Sequence, residues 1–72
     1  MKRRIRIIDN YRILIDEINF YYPKDAENRE KTQMEYRIYI EFTNRERLIL
    51  KFTSSEHRDN ALRILDSEFD GN

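Results

Sequence analysis

Arginine and tyrosine are the residues of this chain whose chemistry reaches beyond folding. Guanidinium groups bind phosphate oxygens through a planar fork, and phenol rings offer flat stacking surface. Arg4, Arg6, Arg12, Tyr11, Tyr22, Arg37 and Tyr39 are therefore the candidate ligand-binding residues. Two ligands fit that chemistry: an anionic nucleotide-type molecule held between subunits, or single-stranded nucleic acid laid on a Tyr- and Arg-bearing sheet. Tyrosine is also a good strand former, so a purely structural role stands beside both. Catalysis has little to work with. There is no cysteine, the only histidine is His57, and the only glycine is Gly71. Thiolate chemistry, thiolate zinc sites and glycine-rich phosphate loops are excluded. Ser54 and Ser55 lie near His57, but neighbours at a helix start do not make a nucleophile, base and orienting group. No carboxylate pair is marked by an apolar setting that would raise one of its pKa values. The reading is a non-enzymatic binding protein with no catalytic residue, cofactor or metal.

Formal net charge is zero, so the molecule as a whole carries no field that recruits nucleic acid or anionic lipid. The charge is unevenly placed. Lys2, Arg3, Arg4, Arg6 and Arg12 face Asp9 alone over residues 1 to 15, and residues 54 to 72 are acidic through Glu56, Asp59, Asp66, Glu68 and Asp70. The two ends are expected to attract each other, within a subunit or between subunits. No run is long enough to cross a membrane as a helix, and Arg6 and Asp9 interrupt the apolar region that a signal peptide needs after Met-Lys-Arg-Arg. A cytoplasmic location is expected.

The elements that must position these residues follow from periodicity. Residues 4 to 15 read as a hairpin. A three-residue loop, Asp9 to Tyr11, pairs Ile7 with Ile13 and Ile5 with Ile15, and leaves Ile8 and Leu14 on the outer face. The alternation then changes phase: Ile13 and Ile15 are followed by Ile18, Phe20 and Tyr22, which implies a bulge near Asp16 and Glu17 or a bend between two strands. Pro23 is expected to end that strand and open a loop reaching Gln33, with a short charged helical turn over Asp25 to Lys31 as the alternative. Tyr36, Ile38, Ile40 and Phe42 share one face of the next strand. Leu48, Leu50 and Phe52 share one face of the strand after it. Pairing Phe42 with Leu48 requires an odd-length loop centred on Arg45, and sets Tyr39 across from Lys51 and Glu41 across from Ile49. Ser54 or Ser55 caps a helix whose apolar stripe is Ala61, Leu62, Leu65 and Phe69, flanked by Ile64.

The stretch from Phe42 to Leu65, Phe-Thr-Asn-x-Glu followed by Leu-Lys-Phe-x-Ser-x-Glu-x-Arg-Asp-x-Ala-Leu-x-x-Leu, resembles the C-terminal half of small uncharacterised phage and bacterial accessory proteins. The resemblance covers about a third of the chain and implies a hairpin running into a helix. It carries no catalytic residue over. The expected architecture is a single α+β domain over residues 1 to 72: an antiparallel sheet of about four strands with one C-terminal α-helix packed on one face. Hydrophobic and charged residues each make up 39% of the chain, which leaves few apolar side chains to close a core without staples. Self-association as a homodimer or larger assembly is therefore expected, through the outer-face residues Ile8, Leu14, Tyr39 and Ile49.

Overall fold

The computed structural model describes residues 4–27 and 33–69. Among these residues the class is α+β with antiparallel strands and one C-terminal helix, as expected, and five strands form two sheets where one sheet of about four was expected. Strands β1 (Ile5–Ile8) and β2 (Tyr11–Leu14) make a hairpin. A 3-10 turn, Ile15–Glu17, leads into a second sheet of β3 (Ile18–Glu27), β4 (Met34–Phe42) and β5 (Arg47–Phe52), in the order β3-β4-β5. Helix α1 (Ser55–Phe69) lies against β4 and β5. None of the described helices is long and apolar enough to cross a membrane.

The first hairpin turns in two residues, not three. Asp9 (φ 50°) and Asn10 (φ 69°) both occupy the left-handed region, as a type I′ turn demands. Asp and Asn tolerate that region, and the twist of the turn matches the twist of the strands. The register is then Ile8 opposite Tyr11, Ile7 opposite Arg12 and Ile5 opposite Leu14, in place of the expected Ile7–Ile13 and Ile5–Ile15 pairs. This inverts the faces. Ile8 is in the core at 2% exposure, whereas Ile7 is 68% exposed. The hairpin contributes a diagonal pair, Ile8 and Ile13, instead of a wholly apolar face.

The change of phase after Ile15 has two physical causes. The 3-10 turn lets Ile15 and Ile18 both enter the core. A register shift between Ile18 and Phe20 then bulges Asn19, so Phe20 and Tyr22 lie on the face opposite Ile18 while Tyr21 packs against the core. The bend is held by hydrogen bonds at both ends. Arg4 donates from its backbone N–H and from Nε to the Asp16 carboxylate, each at 3.0 Å, and Thr43 donates from its backbone N–H to the Glu17 carbonyl at 2.7 Å. Arg4 Nη1 also donates to the Glu68 carbonyl at 3.0 Å, satisfying a C-terminal orphan of the helix. The two ends thus meet through a backbone carbonyl, and no ion pair of the expected kind between their side chains occurs among the described residues.

Pro23 does not end the strand. It sits opposite Ile38 within β3, which continues to Glu27, so the expected loop and helical turn over residues 23 to 27 are replaced by strand. The rest of that expected loop, residues 28 to 32, lies outside the described residues. Alternation of hydrogen bonding explains the tolerance. Ile38 spends its backbone groups on Leu50 of β5, so the nitrogen of Pro23 faces the free edge of the sheet, where no donor is needed.

Strands β4 and β5 keep the expected faces but slip by two residues: Ile40 opposes Leu48, Ile38 opposes Leu50 and Tyr36 opposes Phe52. The loop is odd-length as expected, yet centred on Asn44. Arg45 N–H donates to the Phe42 carbonyl at 2.9 Å, Phe42 N–H donates to Glu46 at 2.8 Å, and Arg45 takes a φ of 72°. That is a type I turn closed by a left-handed residue. Asn44 stabilises it by accepting from the Glu46 N–H at 3.0 Å.

Ser54 caps the helix, accepting from the His57 N–H at 3.2 Å. Ala61 and Leu65 then bury against Ile38, Ile40 and Leu50, with Leu62 and Ile64 packed at the margin; Phe69, expected in the stripe, is 47% exposed and instead meets the Tyr21 ring at 5.5 Å. Arg58 clips the helix start to the long β3–β4 ribbon. Its guanidinium pairs with Asp59 and Asp25 and lies 5.6 Å from the centre of the Tyr36 ring. Hydrogen bonding to Asp59 and then Asp25 raises its pKa against the opposing effect of burial.

Two substitutions test this architecture. Ile8→Ala should cost about 2–5 kcal/mol of unfolding free energy in urea, and Ile7→Ala less than about 1 kcal/mol. Equal costs would contradict the two-residue turn. Arg45→Gly should stabilise the fold by about 1 kcal/mol, because glycine enters the left-handed region without a Cβ clash. A fall in Tm would count against that turn.

Candidate binding face

One side of the three-stranded sheet carries the helix. The other side has no element packed on it among the described residues. Because side chains alternate, burial of Ile38, Ile40 and Leu50 sends Glu35, Arg37, Tyr39 and Glu41 of β4 outward, with Arg47, Ile49 and Lys51 of β5. From β3 the bulge at Asn19 adds Phe20 and Tyr22, and continuation through Pro23 adds Lys24.

These residues fall into cross-strand rows. In the central row Tyr22 opposes Tyr39 and Tyr39 opposes Ile49. The Tyr22 and Tyr39 rings are near-parallel, with centroids 5.3 Å apart and planes 18° apart, and Phe20 extends the set to a third ring 6.2 Å from Tyr22 at 16°. Phe20, Tyr22 and Ile49 are each more than 40% exposed, and a shallow cavity of about 190 Å³ lies among them, reaching Glu41 and Arg47. The next row is cationic throughout: Lys24 opposes Arg37, and Arg37 opposes Lys51. Like charges directly opposite on neighbouring strands repel. Only one of the three has an acidic partner among the described residues, Arg37, which donates through Nε to Glu35 at 3.0 Å. Arg37 Nη1 also donates to the Tyr39 hydroxyl at 3.1 Å, tying the cationic row to the aromatic one. The Tyr39 hydroxyl and then Glu35 raise the Arg37 pKa further. In the row on the far side of the rings, Arg47 is matched by Glu41 at 3.1 Å.

The structure divides the seven candidate ligand residues. Tyr22, Arg37 and Tyr39 share the open face. Arg4, Arg6, Tyr11 and Arg12 belong to the separate β1–β2 hairpin, where Arg4 is engaged by Asp16 and Glu68. Of the four candidate interface residues, Tyr39 and Ile49 are on the open face and directly opposite each other. Leu14 is half-buried on the hairpin. Ile8 is a correction: it lies in the core at 2% exposure and not on the expected outer face. The expected outer pairs are also corrected, since the two-residue slip sets Tyr39 against Ile49, Arg37 against Lys51 and Glu41 against Arg47. Phe20 and Lys24 are not among the residues that the sequence singles out. Even spacing groups Phe20 with Ile18, and Pro23, which reads as a terminator, places Lys24 in a loop. The signal that would have found both is the tolerance of edge strands for bulges and proline. His57, with its exposed side chain, lies at the rim of a different cleft and touches neither row. Among the described residues no acidic or histidine cluster could hold a metal ion.

The cationic row makes a prediction about stability alone. Lys51→Glu places a carboxylate opposite Arg37 and should raise the urea midpoint of unfolding without changing the slope. A lowered midpoint would mean that Lys24, Arg37 and Lys51 do not repel one another in the folded protein. No family model, curated protein or solved structure matches the chain.

Proposed function

We propose that this is a non-enzymatic binding protein whose open sheet face takes up single-stranded nucleic acid. The observation that carries the reading is the cationic row Lys24–Arg37–Lys51 set directly beside the ring row of Tyr22 and Tyr39, with Phe20 extending the rings. Bases stack on sheet-borne aromatic rings, and lysine and arginine along one flank meet the phosphates. An anion also relieves the repulsion within that row, which gives the chain a physical reason to tolerate it. A sequestered mononucleotide uses the same groups, but enclosing a small molecule takes about 300–1,000 Å³. The cavity on this face holds about 190 Å³ and is open, which favours an extended strand lying across it.

The zero net charge limits how strongly long-range attraction contributes. Binding to oligo-dT or oligo-U should weaken with salt along a logarithmic slope of about −2, as expected for roughly three phosphates neutralised on a single strand. Lys24→Ala or Lys51→Ala should each flatten that slope. Tyr22→Ala and Phe20→Ala should each cost about 1–3 kcal/mol of binding with the slope retained. Arg12→Ala, on the hairpin, is the control and should change little. Absence of salt-dependent binding in fluorescence anisotropy, or equal losses on the hairpin and the open face, would sink the reading.

A second reading is self-association through the same face, favoured by the exposed apolar side chains of Phe20, Tyr22 and Ile49 that lie together on it. Light scattering separates the two. A dimer mass abolished by Ile49→Glu favours self-association, and a monomer mass with nucleic-acid binding intact removes it.

A further inference from the structure

A second feature lies away from the open face. An open cleft of about 530 Å³ runs between the tip of the first hairpin (Ile7, Ile8, Asp9) and the end of β5 (Lys51, Phe52, Thr53), floored by Ala61 and Ile64 with His57 at the side. Among the described residues β1 pairs only with β2 and β5 only with β4, so both walls are sheet edges. The hydrogen-bond alternation shows which backbone groups each edge turns outward. In a two-residue hairpin the residues flanking the turn, Ile8 and Tyr11, bond each other, as do Arg6 and Ile13; the Ile15 N–H bond to Arg4 at 2.8 Å continues that phase. Ile5 and Ile7 therefore direct their N–H and C=O groups away from β2. On the other wall the Phe42–Glu46 bond sets the phase, so Leu48, Leu50 and Phe52 bond β4, while Ile49, Lys51 and Thr53 turn outward. The walls of the cleft thus include Ile7, Lys51 and Thr53, whose backbone donors and acceptors have no partner in either sheet.

We infer that this cleft receives an extended peptide strand from a partner protein, hydrogen-bonded to β1, to β5 or to both. Recognition by strand addition takes its affinity from backbone bonds and its specificity from alternate side chains. Here the backbone bonds are offered by the walls, and the floor of Ala61 and Ile64, with Phe52 on the wall beside it, suits small or branched apolar residues at every second position of the incoming strand. Edge protection elsewhere in the chain points the same way. The free edge of β3 carries a bulge at Asn19 and Pro23, devices that discourage pairing, whereas β1 presents Ile5 and Ile7 with 46% and 68% exposure and neither device. The cleft shares Lys51 with the open face, but through its backbone and not its ammonium group, and it shares none of that face's aromatic residues, so the inference does not depend on the proposed nucleic-acid function.

The test uses the full chain labelled with ¹⁵N and a pool of capped heptapeptides with Ile, Val, Leu or Phe at alternate positions and Thr, Glu or Lys between them. Binding should slow hydrogen exchange at the outward amides of Ile5, Ile7, Lys51 or Thr53. Peptides N-methylated at alternate residues should bind about tenfold more weakly or worse, because several backbone bonds are lost together. Where the protected amides are those of β1, Ile7→Pro should weaken binding to the same extent, and Ile7→Ala, which keeps the amide, should weaken it far less; where they are those of β5, Lys51→Pro and Lys51→Ala take those places. Circular dichroism establishes that the proline variant is folded; if it is not, the N-methylated peptides decide the matter alone. Three results overturn the inference: no binding at millimolar peptide, protection confined to the face of Phe20, Tyr22 and Tyr39, or slowed exchange at these amides without peptide together with a dimer mass, which would make a second copy the occupant.

Discussion

The seam between Ile38, Ile40 and Leu50 on one side and Ala61 and Leu65 on the other governs the rest of the molecule. All five residues are buried, and four of them have an exposure of 1% or less. A strand has a side-chain period of two, so closing one face of β4 and β5 against the helix decides what the other face displays. Arg37, Tyr39, Ile49 and Lys51 point outward because their neighbours in sequence point inward. The open face needs no element of its own to position it. A slip of one residue would bury Arg37 and Tyr39 and expose Ile38, at a cost no small core could absorb. A slip of two leaves the faces intact, and that is the freedom the turn at Asn44 resolves.

This distinction explains what could be read in advance. The alternation of β4 and β5, the cap at Ser54 and the stripe through Ala61 and Leu65 are local patterns with a single periodic reading, and they survive in the structure. The failures lie where one residue can be accommodated in two ways. Periodicity alone cannot separate a two-residue turn from a three-residue one in the first hairpin, because apolar residues occupy both Ile7 and Ile8. The left-handed backbone of Asp9 and Asn10 makes that decision, and it is a property of turn chemistry. Pro23 ends a central strand but not an edge strand, and whether β3 is an edge depends on which strands pair. That is a fact of topology, invisible within the stretch itself.

The open face is assembled from those unreadable places. Without the bulge at Asn19, Phe20 would follow Ile18 inward and the third ring would be lost. Without continuation through Pro23, Lys24 would not stand opposite Arg37, and the cationic row would have two members. Tyr39 and Arg37 were visible as outward-facing residues from the regular alternation of β4. Their partners were not, because each partner sits beside an irregularity in β3. A face built this way combines a regular strand, which fixes geometry, with a neighbour whose departures from regularity choose the chemistry.

The charge arrangement gives the same conclusion an energetic side. Elsewhere the described arginines are matched where the fold needs them: Arg4 with Asp16, Arg47 with Glu41, Arg58 with Asp25 and Asp59. A chain of zero net charge has enough carboxylates to match Lys24 and Lys51 as well. They are instead placed on either side of an arginine already engaged with Glu35 and Tyr39. The repulsion is small on an exposed surface and screened by salt, so it does not endanger the fold. It does leave positive potential concentrated beside a set of stacked rings, in a molecule that has none to spare overall. A local field of that kind acts only on an anion already in contact with the surface, and the adjoining rings are what would hold one there.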